Sequence, residues 1–97
     1  MNAFEYRWSE EKNKKLKEGR GISFEEIVNA IRNNQLLEVI KNPSSNFDNQ
    51  ECYVIEFNEY VYLVPYVKNG NERFLKTIFP SRKHTKVYFD KRRNYEK

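Results

Sequence analysis

Apolar residues recur at helical spacing from Phe24 onwards, beginning within a Ser-Phe-Glu-Glu sequence at residues 23–26. Ser23 and Glu26 match a capping box, in which the serine hydroxyl accepts from the Glu26 amide while the glutamate accepts from the Ser23 amide. The residues behind this cap repeat every three or four positions, which predicts one buried helical face. That face consists of Phe24, Ile27, Val28 and Ile31. Asn33-Asn34 is a suitable end for the helix.

The middle of the chain alternates between two sets of side chains and predicts strands. Tyr60, Tyr62, Val64 and Tyr66 would share one face of a strand, and the residues between them would share the other. Turn formers lie on both sides of this strand, at Asn58-Glu59 and at Asn69-Gly70-Asn71. The predicted strands of the sheet cover residues 36–41, 51–58, 60–68 and 72–79.

The N-terminal segment predicts one further helix. Residues 4–8 alternate apolar with charged side chains, as in a short edge strand or an extended lead-in. Ser9 can cap a helix over residues 10–18, with two glutamates in its first turn. Gly19 and Gly21 are expected to end it.

At the other end, Pro80 should end the last strand because it has no amide to donate. Ser81 can then cap a short helix over residues 82–89. Together the elements predict one α+β domain over residues 1–97, with two N-terminal helices, a three- to four-stranded antiparallel sheet and a short C-terminal helix. Residues 90–97 are expected to form a flexible basic tail.

Charge is distributed unevenly along the chain. Residues 72–97 contain nine basic and three acidic residues, a net charge of +6, whereas residues 1–71 contain nine basic and eleven acidic residues, a net charge of −2. A local basic patch is the electrostatic footprint of a protein that binds phosphate backbones, or of one that an acidic protein covers. A solvated tail would explain the charge alone, but Val87, Tyr88 and Phe89 supply apolar groups that such a tail does not need.

Four residues in or near this patch are candidates for chemistry on a phosphate. Arg82 follows the end of a strand, and its guanidinium can hold a phosphate bidentately. Lys76 lies on the preceding strand, where it either reaches a rim or meets a phosphate. His84 is the only histidine, and neighbouring cations favour its neutral form, which suits a general base. Tyr62 is a candidate for proton transfer or for stacking an unpaired base. Tyr66 and Trp8 are further candidates for stacking. Core packing is the alternative explanation, and it is expected for at least half of these aromatic residues.

Other classes of site have little support in the sequence. Cys52 stands alone, so it predicts a small buried hydrophobe rather than a disulfide or a metal ligand. No metal site and no cofactor-binding motif is predicted. No apolar stretch is long enough for a membrane span and no signal peptide is evident, which favours a cytoplasmic protein.

Three stretches of the chain resemble the BrnT toxins. Residues 4–12, which contain Trp8 and Lys12, resemble the F-x-W-D/S-x-x-K opening of that family. Residues 21–26 resemble its H-G-V-S-F-E-E-A block, with Arg20 in place of the histidine. Residues 76–83 resemble its closing strand followed by I-S-A-R-x-A. The similarity spans residues 4–88 in the same order and spacing.

The resemblance implies a RelE-like fold, with helices packed on an antiparallel sheet, and a type II toxin that cleaves RNA without a metal ion and inhibits translation. It also implies neutralisation by an antitoxin encoded next to it, in an assembly of two copies of each, with DNA bound only through the antitoxin. No membrane is involved. Besides the four candidates above, the expected RNA-binding residues are Trp8, Lys12, Arg20, Arg73, Lys83 and Lys86. The alternative is a non-catalytic module that binds nucleic acid or protein through the same patch.

Overall fold

A computed structural model describes residues 4–41 and 50–95, the last five as backbone only. The elements follow in the order β1 (Glu5–Trp8), α1 (Glu10–Arg20), α2 (Phe24–Arg32), β2 (Leu36–Lys41), β3 (Gln50–Phe57), β4 (Tyr60–Asn69), β5 (Glu72–Leu75), β6 (Phe79–Pro80) and α3 (Arg82–Tyr95). The α+β class predicted from the sequence is confirmed.

The sheet is larger than predicted, and it is mixed rather than purely antiparallel. Its strands lie in the order β1-β5-β4-β3-β2, and β6 also pairs with β4. β1 runs parallel to β5 and pairs Trp8 with Leu75, so the segment that could have been a lead-in is an edge strand. Local turn residues signal hairpins between consecutive strands only, which is why the sequence did not predict a pairing between the two ends of the chain.

Two apolar clusters lie on opposite faces of the sheet. On one face, α1 and α2 cover residues of β3, β4 and β5 that include Tyr53, Val64 and Leu75. On the other face, Val54 and Val61 form a smaller cluster, and residues of α3 pack against it. The alternation along β4 is therefore as predicted, because Val64 and Tyr66 face α1 and α2 whereas Val61 and Leu63 face α3.

α2 forms as the sequence predicted. The Ser23 hydroxyl accepts from the Glu26 amide, and the Glu26 carboxylate accepts from the Ser23 amide at 2.9 Å. Phe24 and Ile27 are fully buried and Ile31 is partly buried. The capped end therefore fixes both the start of the helix and the orientation of its apolar face.

α1 is two residues longer than predicted, because it continues through Gly19 to Arg20. Gly21 ends it in a left-handed conformation with φ +66°, and its amide donates to the Lys17 carbonyl. Only the second of the two glycines therefore acts as a stop. The extension carries Arg20 to the end of the helix.

The predicted strand over residues 72–79 is interrupted. β5 ends at Leu75, and the chain rejoins the edge of β4 at β6, where Pro80 pairs with Tyr62. The predicted strand therefore stops at Leu75 and not at Pro80, which is instead the last residue of the two-residue β6. A proline is tolerated there because β6 lies at the edge of β4.

α3 begins where predicted and extends further. The Ser81 hydroxyl accepts from the His84 amide at 3.2 Å, and the Val61 amide donates to the Thr85 hydroxyl at 2.9 Å, which ties the first turn of the helix to β4. The backbone continues as a helix to Tyr95, so most of the predicted basic tail is helical, and residues 96 and 97 lie outside the described part. None of the described helices has the length and apolar character needed to cross a membrane.

Candidate functional site

The C-terminal end of α1 is attached to the segment that connects β5 to α3. Arg20 donates from Nη1 to the carbonyl of Ile78, a contact between residues far apart in the sequence. Lys76 lies two residues before that carbonyl, and Arg82 lies four residues after it. The structure therefore gathers a cation of the N-terminal half with two cations of the C-terminal half around this connecting segment.

We refer to this surface as the basic corner and define it by Arg20, Lys76, Arg82, Lys83 and Lys86. All five side chains are exposed. Within the described residues, none of them forms an ion pair with a carboxylate, whereas Arg7, Lys15, Lys17 and Lys68 all do. Positive charge is thus left uncompensated at this corner and is partly neutralised elsewhere on the molecule.

His84 lies in the first turn of α3, next to the basic corner. Its Nδ1 is 2.7 Å from the Ser81 hydroxyl, and its amide donates to the same oxygen. The imidazole is half-buried, and Nδ1 is occupied by the helix cap. Nε2 is therefore the nitrogen through which this side chain can exchange a proton with a ligand.

Trp8 and Lys12, the aromatic and the basic residue of the N-terminal motif, lie in different surroundings. The Trp8 ring stacks on Phe24 at 5.6 Å, and its Nε1 donates to Glu10 at 2.9 Å, so Trp8 supports the junction of β1 with α2. Lys12 is half-buried in the first turns of α1. Trp8 pairs with Leu75, the residue before Lys76, so it lies beside the basic corner as a packing residue with one half-buried ring.

Tyr62 and Lys76 lie on opposite faces of the sheet. Tyr62 packs with the α1 and α2 cluster, edge to face with Phe57 and Tyr60. The Lys76 ammonium is 5.7 Å from the ring centre of Phe74. Phe74 precedes Leu75 in β5, and because Leu75 faces α1 and α2, Phe74 is on the α3 face. A ligand that touches both residues would have to cross the β6 edge.

Arg73 is separated from the basic corner. It lies in β5 near the hairpin that precedes it, where its guanidinium donates to the Gly70 carbonyl at 2.8 Å and stacks 3.9 Å above the Phe4 ring. Its partner on β4 is Lys68. Tyr62, which pairs with Pro80 just before Arg82, is about 20 Å from Lys68 along that strand at the usual strand rise. The expected RNA-binding residues therefore fall on two surfaces.

A second group of polar residues surrounds Arg73. Sequence reasoning named Tyr66 as a possible stacking residue but missed Glu51, Tyr53 and Lys68. Tyr53 and Tyr66 stack at 4.1 Å, and the Tyr66 hydroxyl donates to Glu51 at 2.6 Å. The Glu51 carboxylate also accepts from Lys68 at 3.0 Å. Alternation predicted which face Tyr66 would occupy, but the contacts across three strands required the register of the sheet.

Acid should weaken the fold through Glu51. The hydrogen bond from Tyr66, reinforced by Lys68, holds the pKa of this carboxyl below its usual 4.5 despite partial burial. A carboxyl with a lowered pKa stabilises the fold fully above 4.5, and this contribution is lost as pH falls through the lowered value. We expect Glu51→Gln to reduce the acid-induced loss of unfolding free energy, by about 1 kcal/mol or less.

Urea titrations at several acidic pH values measure this effect. Glu18→Gln, an exposed change on α1, is the matched control and should follow the natural protein. The role assigned to Glu51 is wrong if Glu51→Gln and the natural protein lose stability in parallel.

Comparison with protein families, curated proteins and solved structures finds no match to this chain. The resemblance to BrnT toxins therefore remains a prediction carried by the sequence motifs.

In the described part of the chain, no three histidine, cysteine, aspartate or glutamate side chains converge as metal ligands would. Cys52 is buried on the α3 face, as predicted, and burial raises the pKa of its thiol to about 11.

Proposed function

We propose that this chain is an endoribonuclease toxin of a type II toxin–antitoxin system, which cleaves RNA at the basic corner without a metal ion. The observation that supports this proposal most is the set of five exposed cations that have no carboxylate partner among the described residues. Uncompensated cations attract a phosphate backbone and stabilise negative charge that develops during its cleavage. The motif resemblance adds the reaction class.

RNA cleavage of this kind needs three events. The 2′-hydroxyl loses a proton, negative charge on the pentavalent phosphate is stabilised, and the 5′-oxygen gains a proton. Arg82 can hold two phosphate oxygens with its planar guanidinium, and Arg20 is oriented towards the same segment by the Ile78 carbonyl. Lys76 adds charge from the α3 side of the edge. His84, through Nε2, is the candidate for proton transfer.

A non-catalytic binding module is the second candidate, and the state of the tyrosines favours it. Burial raises the pKa of Tyr53 and Tyr66 well above the ordinary value, so both phenols stay protonated and neither can act as a base at neutral pH. His84 and Tyr62 are then the candidates for proton transfer. If neither transfers protons, the same corner would bind RNA and leave it intact.

The neutralising partner follows from the same charge. An acidic segment of an antitoxin encoded beside this chain would cover the basic corner, and opposite potentials would speed its association. The partly buried Tyr88 and Phe89 on α3 continue this surface with apolar groups. A complex with two copies of each protein, which reaches DNA only through the antitoxin, is the assembly that the resemblance implies.

Purified natural protein should fragment RNA in the presence of EDTA. Arg82→Gln should slow this cleavage by about a hundredfold to a thousandfold, the cost of removing one group that stabilises the transition state. Arg32→Gln is the matched control, since Arg32 is an exposed arginine at the end of α2. It should cleave at the natural rate. Expression in bacteria should arrest growth in an Arg82-dependent way, and coexpression of the adjacent reading frame should relieve the arrest.

Two results would overturn the nuclease. If the protein binds RNA but leaves it intact, and if this binding weakens as salt rises, the result would support the non-catalytic module. Contacts with phosphates are the ones that salt weakens. Equal cleavage by the natural protein and Arg82→Gln would show that the catalytic site lies elsewhere on the molecule.

A further inference from the structure

A concave pocket lies on the face of the sheet that α1 and α2 cover, towards the end of β4 that is remote from the basic corner. Its volume is about 620 Å³, within the range of small-molecule sites. The lining residues that matter here are Phe4, Tyr6, Tyr53, Tyr66, Lys68 and Arg73. We call this the tyrosine pocket. It is distinct from the surface to which the proposed RNA cleavage was assigned.

The register of the sheet places two cations side by side in this pocket. Arg73 pairs with Lys68 across β4 and β5, and with Tyr6 across β1 and β5. Like charges directly opposite each other on a sheet are unfavourable. Glu51 is the one carboxylate among the described lining residues, and it is engaged by Lys68 and Tyr66. One positive charge in the pocket is therefore left without a counter-charge.

Arg73 is held in position without a carboxylate. Its Nη1 donates to two backbone carbonyls, of Gly70 at 2.8 Å and of Glu72 at 3.0 Å. The guanidinium is stacked on the Phe4 ring at 3.9 Å. These contacts fix the plane of the guanidinium and use one of its nitrogens. A fixed, singly engaged guanidinium is suited to bind an anion with its remaining donors.

The rest of the lining provides aromatic surface and hydroxyl donors. Tyr6 meets Tyr53 edge to face at 6.4 Å, and Tyr53 stacks on Tyr66. Phe4 and Tyr6 are only half-buried, so their rings can still be covered by a ligand. The phenols of Tyr53 and Tyr66 stay protonated and add no negative charge, and the Tyr66 hydroxyl already donates to Glu51. The pocket thus combines a net positive charge with flat aromatic walls.

From this combination we infer that the tyrosine pocket binds a nucleoside phosphate. Arg73 and Lys68 hold the phosphate, and the rings of Phe4 and Tyr6 stack on the base. A phosphate offers several oxygens to two adjacent cations, and every nucleobase presents a flat face to an aromatic ring. The ligand can be a free mononucleotide or the phosphorylated end of an RNA chain, because the chemistry that the pocket recognises is the same.

Calorimetric titration of the intact protein tests this inference with four probes: AMP, adenosine, inorganic phosphate, and a short RNA that carries a 5′-phosphate. AMP should bind more tightly than adenosine or phosphate alone. Arg73→Gln should weaken AMP binding by about tenfold or more, the loss expected when hydrogen bonds to a charged group are removed. Lys15→Gln, an exposed lysine change on α1, is the control and should bind as the natural protein does.

Tyr6→Leu provides a second test that leaves the charge unchanged, and it should weaken AMP more than phosphate because it removes the stacking ring. AMP binding that Arg73→Gln weakens, with RNA binding unchanged by it, identifies a free nucleotide as the ligand. RNA binding that Arg73→Gln and Tyr6→Leu weaken as much as they weaken AMP binding identifies a chain end. Failure of AMP and the RNA to bind at up to about 1 mM, or equal binding by the natural protein and both pocket variants, overturns the inference. The titrations with AMP, adenosine and phosphate do not depend on whether the protein cleaves RNA.

Discussion

Phe24→Ala should lower the free energy of unfolding by about 3–5 kcal/mol, the usual cost of removing a buried phenylalanine side chain. Phe24 is fully buried at the capped end of α2 and stacks against Trp8 at 5.6 Å. Truncation would leave a cavity between α2 and β1 that cannot be closed easily, because Trp8 is held to Glu10 by its own hydrogen bond.

Urea unfolding followed by tryptophan fluorescence measures this loss directly, because Trp8 is the only tryptophan and lies on Phe24. Phe24→Leu should cost less, since it keeps most of the side-chain volume. Val87→Ala, at a position 44% exposed on α3, is the surface control and should change stability by less than about 0.5 kcal/mol. A loss below about 1 kcal/mol for Phe24→Ala would contradict the packing of α2 described here.

Asn13→Ala should destabilise the protein by about 3 kcal/mol, although asparagine in a helix is ordinarily a surface residue. Asn13 is 2% exposed, and its side-chain oxygen accepts from the Phe24 amide at 2.8 Å. Its side-chain nitrogen donates to Glu25 at 2.8 Å. Alanine would leave the Phe24 amide buried without an acceptor and would remove the link between α1 and α2.

Asn13→Asp separates the two functions of this side chain. It keeps an acceptor for the Phe24 amide, but it loses the donor and places a carboxylate beside Glu25 and Glu10, so it should also destabilise. Its cost should shrink as acid protonates these carboxyls. The cost of Asn13→Ala should shrink less, only by the part that comes from the hydrogen bond to Glu25, which lowers the pKa of that carboxyl. Asn29→Ala, an exposed asparagine on α2, is the matched control for thermal unfolding. Equal stability of Asn13→Ala and Asn29→Ala would contradict the role given to Asn13.

These two residues show where sequence reasoning succeeded and where it stopped. Phe24 was predicted to be buried because the capping box and the helical spacing are local patterns that fix its face of α2. Asn13 carried no such signal. Its importance depends on the approach of α1 to the first turn of α2, which brings together residues that are eleven positions apart.

The strands show the same division. The turn at Asn58-Glu59 was predicted from its residues, and both adopt left-handed conformations, with φ of 52° and 61°. The break after Leu75 was not predicted, because residues 76–78 continue the alternation of the strand. The chain leaves the ladder there while the Lys76 amide still donates to the Pro65 carbonyl at 2.8 Å.

The candidate site was predicted in part. The basic character of residues 76–86 was evident from the charge count, because charge is a property of composition. Arg20 contacts the Ile78 carbonyl, a partner for which the sequence carried no signal. The separation of Arg73 from the basic corner depends on β-sheet register, which no local pattern specifies.

The sequence by itself determined the capped helix, the hairpins, the faces of β4 and the excess of positive charge in the C-terminal part. Each of these depends on residues close together in the chain, through hydrogen bonding, side-chain alternation or charge. Only the tertiary structure decided the parallel pairing of β1 with β5, the burial of Asn13, and the grouping of cations into a basic corner and a tyrosine pocket. These features arise from contacts between distant segments, whose geometry is set by the packing of two helical layers on the sheet.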